Sequence, residues 1–111
     1  MHTYTHQVQY YETDKMQITH HSNYIRFMEE SRIDFLNHIG FGYDKMEELG
    51  ISSPVIGIQC DYKKSTTFPD LINIETKVSA YKGTRLEIEY TMKVNEEIVA
   101  IGKSLHCFLN Q

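Results

Sequence analysis

Apolar and polar side chains alternate through most of the second half of the chain, the mark of strands with one covered face. Ile72, Ile74, Val78 and Ala80 stand opposite Asn73, Glu75 and Lys77. Leu86, Ile88, Tyr90, Met92 and Val94 stand opposite Arg85, Glu87, Glu89 and Lys93. Lys82-Gly83-Thr84 and Asn95-Glu96 interrupt the alternation and predict tight hairpin turns. From Ile98 to about Leu109 both sides are apolar or small (Val99, Ile101, Leu105; Ala100, Gly102, Phe108), which predicts a strand covered on both faces. Before the turn at Phe68-Pro69-Asp70, Ile56, Ile58, Cys60 and Tyr62 alternate with Gly57, Gln59 and Asp61. Near the start, Tyr4, His6, Val8 and Tyr10 face one way and predict a strand over residues 4–11.

Between the first strand and the rest, the period changes to that of a helix. Over 23–39, Tyr24, Ile25, Met28, Phe35, Leu36 and Ile39 share one face at 100° per residue, with no proline or glycine until Gly40. Arg32 falls within that face and Glu29 at its edge. Three residues apart on a helix, they are expected to form a partly buried ion pair, because a bare buried charge is very unfavourable. Gly40-Phe41-Gly42 ends the helix, and 43–49 predicts a second, short one. Hairpin-linked strands imply an antiparallel sheet, and the long helix must bury its stripe against it. The expected fold is α+β, in a single domain spanning 1–111, with no internal repeat or linker.

Composition narrows the possible partners. The net charge of −4 and pI near 5.8 exclude a nucleic-acid binder held by bulk charge. No apolar run approaches the roughly 20 residues of a membrane span. The N-terminus lacks the basic start and apolar middle of a signal peptide. Cys60 and Cys107 have no metal spacing and are expected to be reduced thiols of a cytoplasmic protein.

The stretch with chemistry in it is Tyr10-Tyr11-Glu12-Thr13-Asp14-Lys15-Met16-Gln17-Ile18-Thr19-His20-His21-Ser22-Asn23-Tyr24. It places a carboxylate and two histidines on a loop just ahead of two good helix-starting residues, Ser22 and Asn23. A helix start offers free N–H groups and partial positive charge to an oxyanion, and a nearby carboxylate can act as base or nucleophile on the carbonyl bearing that oxygen. The plain alternative is that Asp14 braces a turn and the histidines are solvated, which is the commoner role for such residues. His20-His21 lacks the i, i+4 spacing of zinc motifs, so no metal is expected, nor any cofactor. A Gly-x-Ser-x-Gly elbow and a glycine-rich phosphate loop are both absent.

Thr13, Asp14, His21, Asn23, Tyr24, Glu29 and Arg32 together resemble the signature of hotdog-fold acyl-CoA thioesterases of the 4-hydroxybenzoyl-CoA thioesterase type. That signature is an acid-Thr-Asp loop, a His-x-Asn-Tyr helix start, then Glu and Arg three apart. The match is specific from about Tyr10 to Arg32, with one departure: Gln17 stands where the family usually has glycine. The resemblance implies an antiparallel sheet wrapped around the long helix. It implies hydrolysis of an acyl-CoA by Asp14, as nucleophile or general base, with the carbonyl oxygen held by a backbone N–H near His21. The His21 imidazole, of a type that titrates near neutrality, is expected either to assist proton transfer or to orient the loop. Thr13, Asn23, Tyr24, Lys64, Lys82 and Arg85 are the expected substrate contacts. Lys63, Lys64, Lys82 and Arg85 flank turns where coenzyme A phosphates could meet them, although each is also an ordinary surface charge. A homodimer or homotetramer is expected, with the site between subunits. The alternatives are a non-catalytic acyl-CoA or acyl-carrier binding protein, and a hotdog hydratase or dehydratase.

Overall fold

A computed structural model describes residues 2–110. The chain runs β1 (His2–Gln7), a 3-10 turn (Tyr10–Glu12), α1 (Asn23–His38), α2 (Tyr43–Glu48), β2 (Ile51–Ser52), β3 (Val55–Tyr62), β4 (Leu71–Lys82), β5 (Arg85–Val94), β6 (Glu97–Cys107) and β7 (Leu109–Asn110). Five strands form one antiparallel sheet in the order β1-β4-β5-β6-β3, and β2 pairs with β7 beside it. The sheet wraps α1, which is the hotdog arrangement. The hairpin turns fall where glycine and polar residues predicted them: Gly83, Asn95 and Glu96 all take positive φ.

The core lies between the sheet and α1. Phe27 and Met28 are fully buried against Ile72, Ile74, Ile88, Tyr90 and Met92, joined by Val8 and Ala100. Gly102 lets the helix come this close, since a Cβ there would collide with Met28 Sδ. A smaller cluster of Phe35, Leu36 and Met46 joins the end of α1 to α2.

Four expectations need correction. The first strand ends at Gln7, because the chain dips to bury Val8 and then turns, leaving Tyr10 77% exposed. The buried stripe of α1 is Tyr24, Phe27, Met28, Ser31, Arg32, Phe35 and Leu36, while Ile25 and Ile39 are exposed. The stripe is thus rotated toward β1, where Glu30 accepts from the Tyr4 hydroxyl and Asp34 meets His2. Strand β3 is an edge, and most of its side chains are exposed rather than half-covered. Finally, Glu29 is exposed and makes no pair with Arg32. The Arg32 side chain turns inward instead, its Nε donating to the Tyr43 hydroxyl (2.9 Å) and its Nη1 to that of Tyr90 (3.2 Å).

Candidate active site

Asp14 opens a small, tightly closed loop. Thr13 and Thr19 face each other as an antiparallel bridge. Between them the Asp14 N–H donates to the Ile18 carbonyl, and the Gln17 N–H to the Asp14 carbonyl, each at 2.9 Å. Closing so short a loop takes a left-handed residue, and that residue is Gln17, at φ 66°. Thr67 holds the loop from the sheet side, its hydroxyl donating to the Gln17 carbonyl at 2.6 Å. The Met16 N–H donates to Asp14 Oδ1 at 2.8 Å, fixing the carboxylate plane. The other carboxylate oxygen has no partner among the described residues and is free to act.

Asp14 shares a cavity of about 300 Å³ with His21 and Tyr24 from the start of α1 and with Tyr62, Lys63 and Lys64. No acidic residue occupies the first turn to neutralise the helix end. Ser22 does not cap the helix with its side chain; its hydroxyl pairs with His20 Nδ1 at 2.9 Å. The His21 N–H has no acceptor among the described residues, while the His21 carbonyl accepts from the Tyr24 N–H and the Tyr62 hydroxyl. A residue whose amide has no acceptor and a half-satisfied carboxylate, both lining one cavity, are the kinds of group an acyl-transfer site uses.

The expected contacts divide sharply. Asp14, His21, Tyr24 and Lys64 line the cavity. The Tyr24 hydroxyl is committed to Thr66 (2.9 Å), burial pushes its pKa up, and Lys64 pairs with Glu97 (2.6 Å). Thr13 lines a second hollow on the other side of Asp14, beside Tyr10, Tyr11 and Phe68. Asn23 is buried and lines neither, so it is not placed to touch substrate. Lys82 and Arg85 lie at the β4–β5 hairpin. Arg85 is seven residues along β5 from Met92, which is level with Ala100 and Tyr62 across the sheet. At strand rise that is about 23 Å from the cavity within one chain. Sequence reasoning missed Tyr62, whose ring meets Tyr24 edge-on at 5.1 Å. Its position next to the Lys63-Lys64 pair at a strand end was the available signal.

A carboxylate loop set against the start of the central helix of a hotdog fold defines a class, the hotdog thioester hydrolases. The chain belongs to the thioesterase-like superfamily, whose family model matches residues 8–111. It is 33% identical over 106 residues to an Aquifex aeolicus protein named as an esterase, covering 96% of this chain and 83% of that one. It is 29% identical over 89 residues to the acyl-CoA thioesterase YbgC of Haemophilus influenzae, covering 79% of this chain but only 65% of the relative. The crystal structure of a DHNA-CoA thioesterase from Staphylococcus aureus superposes with a TM-score of 0.91 at 31% identity, covering 97% of this chain and 73% of that one.

Proposed function

We propose that the protein hydrolyses acyl-CoA thioesters and that Asp14 carries the reaction. The observation that supports this most is that Asp14, one of whose carboxylate oxygens has no partner among the described residues, lines one cavity together with His21 and Tyr24 from the start of α1. The thioester carbonyl oxygen accepts from the His21 N–H, where the helix end favours the charge that develops on it. Asp14 either takes a proton from the attacking water or attacks the acyl carbon itself, forming an anhydride that water then opens. In both routes the C–S bond breaks and water supplies the acid's hydroxyl and the thiol's proton. The His21 ring, exposed and lining the same cavity as Asp14, is the side chain assigned to pass that proton in this reading. Lys63 at the cavity mouth suits the phosphates of coenzyme A.

The functional unit in this reading is a dimer joined through β3. That edge carries Val55, Ile56, Ile58 and Tyr62, each 39–49% exposed, beside the exposed Ile25 of α1. Two β3 edges paired about a twofold axis cover this apolar surface and the open backbone groups. Antiparallel pairing sets the Tyr62 end of one chain beside the Val55 end of the other. The hairpin bearing Lys82 and Arg85 belongs to the Val55 end, because Val55 is level with His106 and His106 with Leu86. Each site thereby gains the partner's two cations for the nucleotide end of the substrate. The two free thiols, Cys60 and Cys107, suit a reducing cytoplasm.

Asp14→Asn tests the chemistry. The amide keeps shape and turn geometry but neither takes a proton nor attacks carbon usefully. Thiol release from an acyl-CoA panel is expected to fall at least about 100-fold with fold and assembly unchanged. Activity within a few-fold of wild type would move the chemistry elsewhere. A wild-type protein that binds the panel without releasing thiol would favour the non-catalytic reading.

A further inference from the structure

The two groups assigned to the chemistry stand on separate segments, Asp14 on its loop and the His21 N–H on the helix start. Something must hold one against the other, because near-attack geometry tolerates little slack. The side chain of Asn23 reaches both segments. Its Nδ2 donates to the Glu12 carbonyl at 3.0 Å and to the His20 carbonyl at 3.3 Å. Glu12 lies two residues before Asp14, and His20 lies immediately before His21. The same Glu12 carbonyl accepts from the His20 N–H at 2.8 Å, and the same His20 carbonyl accepts from the Asn23 N–H at 3.0 Å. Behind this junction the Glu12 carboxylate, 5% exposed, is held by the Gln9 N–H (2.7 Å) and His6 Nε2 (2.9 Å), so the anchoring residue is itself fixed.

We infer that Asn23 is a positioning residue: its amide clamps the Asp14 loop to the start of α1 and so sets the distance between the carboxylate and the His21 N–H. The residue type follows from the geometry. A primary amide carries two N–H donors on one nitrogen, enough for two carbonyls on two segments. Aspartate of the same shape presents only acceptors there, and serine has one donor and too short an arm. This rests on the acyl-CoA hydrolysis proposed above, and its test is arranged to fail separately from it.

Asn23→Ala and Asn23→Ser both remove the clamp, and Ser remains a good residue for a helix start. Each is expected to lower kcat about 10- to 100-fold while KM stays within about threefold, as displacement of aligned groups rather than lost binding requires. Placed on an Asp14→Asn background, the same substitutions are expected to cost less than about twofold more, since the group being positioned is already gone. Ser31→Ala, which breaks a buried bond to Thr76 in the body of α1, supplies a control for general destabilisation and is expected to leave kcat within about threefold. Amide hydrogen exchange gives an arm free of turnover: the His20 and Asp14 N–H groups are expected to exchange at least about tenfold faster in Asn23→Ser, with β5 amides unchanged. Retained kcat in both variants, a full-size loss on the Asp14→Asn background, or unaltered His20 exchange overturns the clamp. A wild-type protein inactive on every acyl-CoA overturns the hydrolysis instead, and the exchange result then decides the clamp alone.

Discussion

The start and the middle of α1 handle polar groups in opposite ways. At the start, side chains are spent on shaping backbone. Asn23, Thr19 and Thr67 bind carbonyls and hydroxyls of neighbouring segments, and one Asp14 carboxylate oxygen and the His21 N–H are left without partners among the described residues. In the middle the charged group is turned into the fold and bound to hydroxyls. Arg32, 5% exposed, has no carboxylate partner among the described residues; two of its N–H groups meet Tyr43 and Tyr90, Tyr90 bonds to Ser104 (2.7 Å), and Ser104 bonds to His106 (2.8 Å). Burial opposes the Arg32 charge, but the two phenol oxygens together outweigh it and raise its pKa. The more conspicuous charge is thus structural, and the chemistry proposed above falls to an unremarkable-looking aspartate with a vacant oxygen.

Paired substitutions break this comparison open. Asp14→Asn is expected to remove at least about 100-fold in turnover at almost no cost in stability. Arg32→Ala should do the reverse, costing roughly 2–4 kcal/mol through the cavity and the abandoned Tyr43 and Tyr90 hydroxyls, with turnover per folded molecule kept. Arg32→Met separates charge from volume. Met refills the volume and leaves only the Tyr43 and Tyr90 hydroxyls without their Arg32 donors, so it should lie roughly midway between Ala and wild type. Urea unfolding measures all three. An Arg32→Met protein as unstable as Arg32→Ala would mean that the charge, not the packing, holds that part of the core.

The same contrast explains what could be read from the chain. The strands from Leu71 onward, their turns and the span of α1 were legible because period and turn residues are local signals. So was the grouping of the candidate site, since Asp14, His21 and Tyr24 lie within one short stretch and line one cavity. The fate of Arg32 was not. Spacing to Glu29 permitted a contact, but the side chain chose hydroxyls on Tyr43 and on Tyr90, 58 residues away, which no helical wheel contains. Strand alternation likewise ran past Gln7 to Tyr10, because it cannot register where a chain leaves the sheet. Lys82 and Arg85 were grouped with Lys64 by charge and turn position, and only the strand register separates them from it.

Acid should find the middle of the helix before its start. His106 is 1% exposed and its Nδ1 has no hydrogen-bond partner among the described residues. Burial, and then the Arg32 charge, push its pKa down to about 4 from 6.5, while the nearby Ser53 backbone works the other way. A folded-state value below the unfolded one means that the unfolded chain takes up the proton first. The stability tied to neutral His106 is therefore fully present above pH 6.5 and drains away as pH falls toward 4. From these values the loss between pH 7.5 and 5 is about 2 kcal/mol. His106→Gln, which keeps an acceptor for Ser104, should lose stability more gently over that interval, with only the carboxylates contributing. Parallel urea midpoints for the two proteins would contradict a depressed His106.

The smallest expected effect lies in the Asp14 loop itself. Gln17 holds φ 66°, its side chain is exposed, and its backbone makes both of its contacts through N–H and C=O. An L-residue in the left-handed region is strained by about 1 kcal/mol, because its Cβ crowds the following carbonyl. Glycine removes that strain and keeps both backbone bonds, but it also gains freedom in the unfolded chain, which offsets roughly half of the relief. Gln17→Gly should therefore stabilise by about 0.5 kcal/mol. Gln17→Ala should change little, and Gln17→Val should destabilise by about 1 kcal/mol, since branching at Cβ worsens the same clash. The ordering Gly, then Gln and Ala, then Val is the signature of backbone strain. A series that followed side-chain size or polarity instead would show that the Gln17 amide, not its backbone, is what the loop uses. Turnover sharpens the point: if the loop already holds Asp14 in its working position, as the Met16 and Thr67 contacts indicate, Gln17→Gly should leave kcat within about twofold.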